Sequence, residues 1–104
     1  MELAIFGRFH ARAGDEDAVE AAIREVIVPT SGEAGCVAVN AYRSMRDERF
    51  FFIHSRWVDE AAFERHAAEP HTRCFIARVT PLIDHPLDVQ RTHLIDCNFA
   101  KITM

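Results

Sequence analysis

Several absences narrow this sequence before any pattern in it is read. No apolar run comes near the ~20 residues that cross a bilayer, so no membrane-spanning segment is expected. No cluster of Lys or Arg occurs, and the formal net charge is −4. Nucleic-acid binders carry a basic face, which removes that class. The opening MELAIFGRFHARAGDE lacks the basic start, apolar stretch and small-residue cleavage site of a signal peptide, and a cytoplasmic protein is expected. Only four glycines are present, none of them in a G-x-G-x-x-G or phosphate loop. Nothing therefore points to a flavin or nicotinamide, and no cofactor is expected. The three cysteines, Cys36, Cys74 and Cys97, are odd in number and contain no C-x-x-C pair. They suggest neither a disulfide framework nor a thiolate zinc site. Cys36 and Cys74 sit among apolar neighbours and read as small core residues.

What is present is apolar. The 104 residues amount to one domain, and 49% of them are hydrophobic, eight being Phe. A chain this short buries roughly two-thirds of its surface on folding. So much apolar side chain is generous for a monomer and suggests burial against a second copy.

The periodicities give an order of elements. Residues 2–10 alternate as a strand, with Leu3, Ile5, Gly7 and Phe9 on one face. A helix follows, with Asp15 as N-cap and a stripe of Val19, Ile23, Val26 and Ile27. Pro29, Gly32 and Gly35 are expected to close it. CVAVNAYRS (36–44) and RFFFIHSRWV (49–58) read as strands joined by a short hairpin loop. Both carry apolar residues on both faces, so both faces should be covered. Asp59 caps a second helix, Pro70 interrupts it, and HTRCFIARV continues as a short helix that Pro81 ends. LDVQRTHLI (87–95) alternates as a final strand, and 96–104 form an apolar tail. The order β-α-β-β-α-β predicts an α+β, ferredoxin-like fold with a four-stranded antiparallel sheet and helices on one face. The Phe-rich opposite face would be covered by the same face of a second chain, giving a homodimer.

The segments EAGCVAVNAYRS, RFFFIHSRWVDEAAFERHAAEPHTRCF and PLIDHPLDVQRTHLID resemble the antibiotic biosynthesis monooxygenase (ABM) domains of the dimeric α/β-barrel group. The resemblance covers nearly the whole chain and implies that fold. Members include cofactor-free oxygenases of anthrones and quinols, haem-degrading enzymes and an isomerase of a phosphorylated signalling sugar. The anthrone-type pattern Asn-x-x-x-Trp-x-x-x-x-x-Tyr falls on Ile53, Trp57 and Phe63, so the Trp is kept and both polar partners are gone. The strand-one Asn of the haem-degrading members is Gly7 here, and Phe75 stands near the position of their His. The acidic residue common two before the Trp is Ser55, whereas His66, Pro70 and His71 match.

The resemblance implies a cofactor-independent monooxygenase of an aromatic or quinone-like small molecule. Such chemistry needs an apolar pocket, a group to take a proton, and exclusion of water. Ile5, Phe9, Phe51, Ile53, Trp57 and Phe63 would wall the pocket, with His71 nearby. His66 is the candidate base and Ser55 an assisting hydroxyl. The alternatives are a non-catalytic module that holds a hydrophobic metabolite, and an isomerase or lyase of an enolisable substrate. Each candidate also has a structural reading: Trp57 as core, His66 as a hydrogen-bonded histidine beside the buried stripe, His71 as part of the next helix's start. His54 should face the partner chain with Arg56, and His10, His85 and His93 should be solvated or interfacial. His66 and His71 are separated by a proline, which does not put both on one helix face, and no metal site is expected.

Overall fold

The computed structural model describes residues 1–98. The elements are β1 (Leu3–His10), α1 (Glu16–Ser31), β2 (Cys36–Arg43), β3 (Phe50–Trp57), α2 (Glu60–Ala68), α3 (Pro70–Val79), a short 3-10 turn (Thr80–Leu82) and β4 (Asp88–Thr92). The strands form one sheet in the order β2-β3-β1-β4, with every neighbouring pair antiparallel. This is the expected ferredoxin-like α+β fold. β1 and β3, the two central strands, pair from Leu3↔Trp57 to His10↔Phe50. Among the described residues, no helix is long and apolar enough to cross a membrane.

Strand parity sends Ile5, Gly7, Phe9, Phe51, Ser55 and Trp57 to the helix-covered face, where all six are buried. The core there is split. One cluster gathers Phe9, Ala11, Val19, Ile23, Phe51, Val79 and Ile83 under α1 and the end of α3. The other joins Ile5, Trp57, Ala62 and Phe63 under α2. On the opposite face Phe6, Tyr42 and Phe52 remain 51%, 54% and 38% exposed, so the chain alone leaves that face uncovered.

α1 closes within the expected Pro29–Gly35 span, running through Pro29 to Ser31 with Gly32 as its C-cap. The proline lies in the last turn, where its ring removes only the N–H that would meet the Glu25 carbonyl. Several expectations need correction. Asp15 stands at the N-cap but its side chain caps nothing; Asp59, by contrast, accepts from the Ala62 N–H at 2.8 Å. β4 is shorter than 87–95, and Cys74 is exposed on α3 rather than a core residue. His54 does lie on the outer face, stacked on Phe6 with ring centres 4.7 Å apart. Of the tail, residues 99–104 lie outside the described residues.

His10 is not a solvated histidine. Nδ1 donates to Asp84 at 2.8 Å and Nε2 to Asp47 at 2.9 Å, tying β1 to the hairpin loop and to the segment before β4. Both nitrogens can donate only in the imidazolium form. Hydrogen bonds to Asp84 and then Asp47 accordingly raise its pKa above 6.5. Asp84 in turn is held down at about 2, first by His85 and then by His10. Arg49 also reaches Asp84, at 3.1 Å. The Asp84 contribution is present above its unfolded pKa of 3.8 and lost as pH falls through about 2. The His10 contribution is complete below 6.5 and is lost as pH rises through the raised folded value. A His10→Gln variant should therefore melt several degrees below the native protein at pH 5, and the gap should narrow by pH 9. Thermal unfolding across that range checks it; a gap that widens with pH would refute the assignment.

Candidate functional site

Between the two core clusters lies a cavity of about 240 Å³, walled by Ile5, Phe9, Ile53, Phe63, Phe75, Leu87 and Val89. Gly7 stands mid-strand on the same face and also borders it. A Cβ at Gly7 would make only ordinary contacts, 3.4 Å to the Phe9 ring at the nearest. The space therefore exists partly because this position carries no side chain. The polar groups on the wall are Ser55, His66 and Thr72.

Of the residues expected to form the site, Ile5, Phe9, Ile53, Ser55, Phe63 and His66 are brought together on this cavity. Trp57, Phe51 and His71 are not. Trp57 is 0% exposed and packs edge-on against Phe63 with ring centres 5.9 Å apart. It is a core residue behind the wall and offers no face to a guest. Its indole N–H donates to Ser55 Oγ at 3.0 Å, which satisfies the buried nitrogen and orients the hydroxyl. Phe51 belongs to the other core cluster. His71 opens instead onto a surface groove with Cys74 and Arg78 between α1 and α3.

His66 projects from the last turn of α2, its ring 4.7 Å from Trp57 and 5.6 Å from Phe63. Its Nδ1–H donates to Glu33 Oε2 at 2.8 Å, with Thr72 Oγ1 at 3.3 Å as a weaker neighbour. His71 Nε2–H donates to the same carboxylate oxygen at 2.7 Å. The carboxylate can only accept, so it places the His66 proton on Nδ1 and leaves the lone pair on Nε2. As expected, the helix break at Glu69–Pro70 keeps His66 and His71 off a common helix face. It ends α2 and starts α3 so that both imidazoles reach one carboxylate.

Glu33 sits in the turn between α1 and β2, with its side chain only 12% exposed. Gly35 brings that turn against α2. Its φ is +86°, and a Cβ there would lie 2.6 Å from the Ala62 Cβ, so neither the conformation nor the space admits a side chain. The neighbouring Cys36 thiol is pushed up in pKa by burial and then by the Glu33 charge, which leaves it a poor nucleophile. A larger hollow of about 570 Å³ lies on the outer sheet face between Phe6, Tyr42, Phe52 and His54. It lacks the carboxylate–histidine pair, so the smaller cavity is the better chemical site.

Comparison with known proteins decides the family. The family described as "Antibiotic biosynthesis monooxygenase" matches residues 3–78. This chain belongs to the ABM family. It is 30% identical over 71 residues to "Putative monooxygenase YcnE" of Bacillus subtilis (strain 168), covering 68% of this chain and 75% of that protein. It is 29% identical over 87 residues to "Putative monooxygenase Rv0793" of Mycobacterium tuberculosis, covering 84% and 85%. The solved structure of Rv0793 superimposes with a TM-score of 0.87, covering 92% of this chain and 97% of that one. As an ABM domain the chain departs from the polar pattern of the anthrone-type members, with Ile53 and Phe63 both on the cavity wall.

Glu33 is the residue that sequence reasoning missed. The signal available was an acidic residue two positions before Gly35, and nothing in the spacing ties it to histidines 33 and 38 positions away. A Gly7→Val change should fold, because valine suits a strand, while filling the cavity. Binding of an apolar fluorescent reporter to that cavity should weaken roughly tenfold or more, as overpacking by ~1–3 kcal/mol would require. Reporter titration with a parallel circular dichroism spectrum checks this; unchanged binding would place the guest elsewhere.

Proposed function

We propose that this ABM chain is a cofactor-independent monooxygenase of a small aromatic, quinol-type molecule, working as a homodimer joined through the outer sheet faces. The observation that carries the reading is the Glu33–His66 pair set in the wall of an apolar cavity. Glu33 fixes the tautomer, and the Nε2 lone pair of His66 takes a proton from an acidic ring CH₂ or phenol. The surrounding Phe and Ile side chains make the lining largely apolar, and a bound substrate that displaces water from it would strengthen each polar contact inside. Ser55 has given its acceptor side to the Trp57 indole, so its own O–H is available to a substrate oxygen as negative charge develops there.

The resulting anion passes one electron to O₂, the two radicals combine to a peroxide anion, and the His66 imidazolium returns its proton to give a hydroperoxide. Loss of water from it leaves a carbonyl, so that substrate CH₂ plus O₂ becomes C=O plus H₂O. A carrier role is the second reading. It is supported by the apolar Ile53 and Phe63 on the cavity wall, where anthrone-type oxygenases carry polar groups. The dimer reading is supported by the exposure of Phe6, Tyr42 and Phe52 on the outer face.

An oxygen electrode with a metal-free panel of quinols and anthrones tests the activity. His66→Ala should lower uptake by ~10²-fold or more, as loss of a positioned base does. An equal rate would remove His66 from the reaction, and saturable binding without uptake would favour the carrier. Turnover under argon would instead mark an isomerase or lyase. Sedimentation at micromolar concentration should give a species of twice the 11.8 kDa chain mass; a lone monomer would overturn the dimer.

A further inference from the structure

We propose that Glu33, His66 and His71 form a binding site for a divalent cation of the zinc class, and that filling it converts His66 from a proton acceptor to a donor. One carboxylate oxygen lies 2.8 Å from His66 Nδ1 and 2.7 Å from His71 Nε2. The three ligand atoms fall within 4.8 Å of one another. They come from three different segments: the α1–β2 turn, α2 and the first turn of α3. Their side chains are 12%, 15% and 25% exposed, so the site is partly shielded but not closed.

Two imidazoles and one carboxylate make a donor set suited to zinc, and also to iron(II), nickel or copper(II). Bonds of about 2.0–2.2 Å at a tetrahedral angle place ligand atoms about 3.3 Å apart. Each ring must withdraw from Glu33 by about half an ångström, the two ring nitrogens, within 4.8 Å of each other, must settle to a similar spacing, and a fourth position is left for water. His71 borders the groove that runs between α1 and α3, which gives an ion a way in on the side away from the cavity.

The switching follows from proton counting. A neutral imidazole has one N–H and one lone pair. Without metal, Glu33 holds the proton of His66 on Nδ1 and leaves Nε2 free to accept. A cation at Nδ1 takes the lone pair there, so the same proton must move to Nε2. His71 makes the opposite shift, from Nε2–H to Nδ1–H, and no proton is gained or lost overall. The metal-bound His66 can donate from Nε2 but cannot accept. The site itself stands independently of the oxygenase proposal; only the loss of base function rests on it.

Zn²⁺ alone is the probe. Equilibrium dialysis of the full chain should give one ion per chain, and His71→Ala and Glu33→Ala should each weaken binding at least ~10-fold, since losing even an outer-shell partner costs that much. His85→Ala should leave it unchanged, which separates this site from the His10–Asp84–His85 group. Nitrogen NMR of labelled histidine should show the His66 Nε2 signal moving from the lone-pair to the N–H position on Zn²⁺ addition. Binding that survives His71→Ala, or an Nε2 signal that stays put, would overturn the proposal. Neither readout needs a substrate, so failure of the oxygenase reading leaves them intact. Where oxygen uptake is present, Zn²⁺ should suppress it and a chelator should restore it; uptake indifferent to saturating Zn²⁺ would overturn the switching.

Discussion

A carboxylate nearly shut off from water must be supplied with donors, and much of this molecule's functional end is arranged around that requirement. The Glu33 side chain keeps only 12% of its surface, and one of its oxygens is met by two imidazoles. An ionised group so placed would be costly without partners. The three segments that meet there are separated in sequence, so the turn after α1, the end of α2 and the start of α3 are held in one mutual arrangement. Gly35 is what lets the turn come close enough, because any side chain there would collide with α2.

That arrangement also explains why the core is divided. Phe9, Phe51 and their neighbours pack solidly at one end, and Trp57 with Ile5 and Phe63 at the other. A cavity between them is not filled, since its lining alternates large rings with a glycine. Apolar rings lying over a hydrogen-bonded histidine suit a proton transfer away from water, because burial magnifies the few polar contacts that remain. Trp57 serves this indirectly. Its bulk closes the floor, and its indole N–H sets the direction of the Ser55 hydroxyl.

The elements of the fold were legible because the two periodicities, of two and of 3.6 residues, change cleanly at Asp15, Cys36 and Asp59. Pro29, Gly32 and Gly35 marked the end of α1 to within a turn but not its last residue, because a proline in a final turn need not be the stop. Ile5, Phe9, Ile53 and Ser55 could be assigned to one sheet face by parity alone. Parity does not say where along that face the packing is solid and where it is open, which is why Trp57 and Phe51 read as pocket walls. His66 was legible as a histidine beside a buried stripe. Its partner was not, because Glu33 joins it only through tertiary packing across a turn, and no local rule links them. His10 was misread for the same reason: its two carboxylates lie 37 and 74 positions away.

Gly7 and Ile53 border both the inner cavity and the hollow on the outer face. At that point the sheet is a partition one peptide layer thick, with no side chain from Gly7 on the cavity side. A molecule lodged within and a body resting against the exterior would share this membrane-thin wall. Strand curvature imposed from outside would alter the volume inside, and a swollen occupant would in turn press outward on whatever lay beyond.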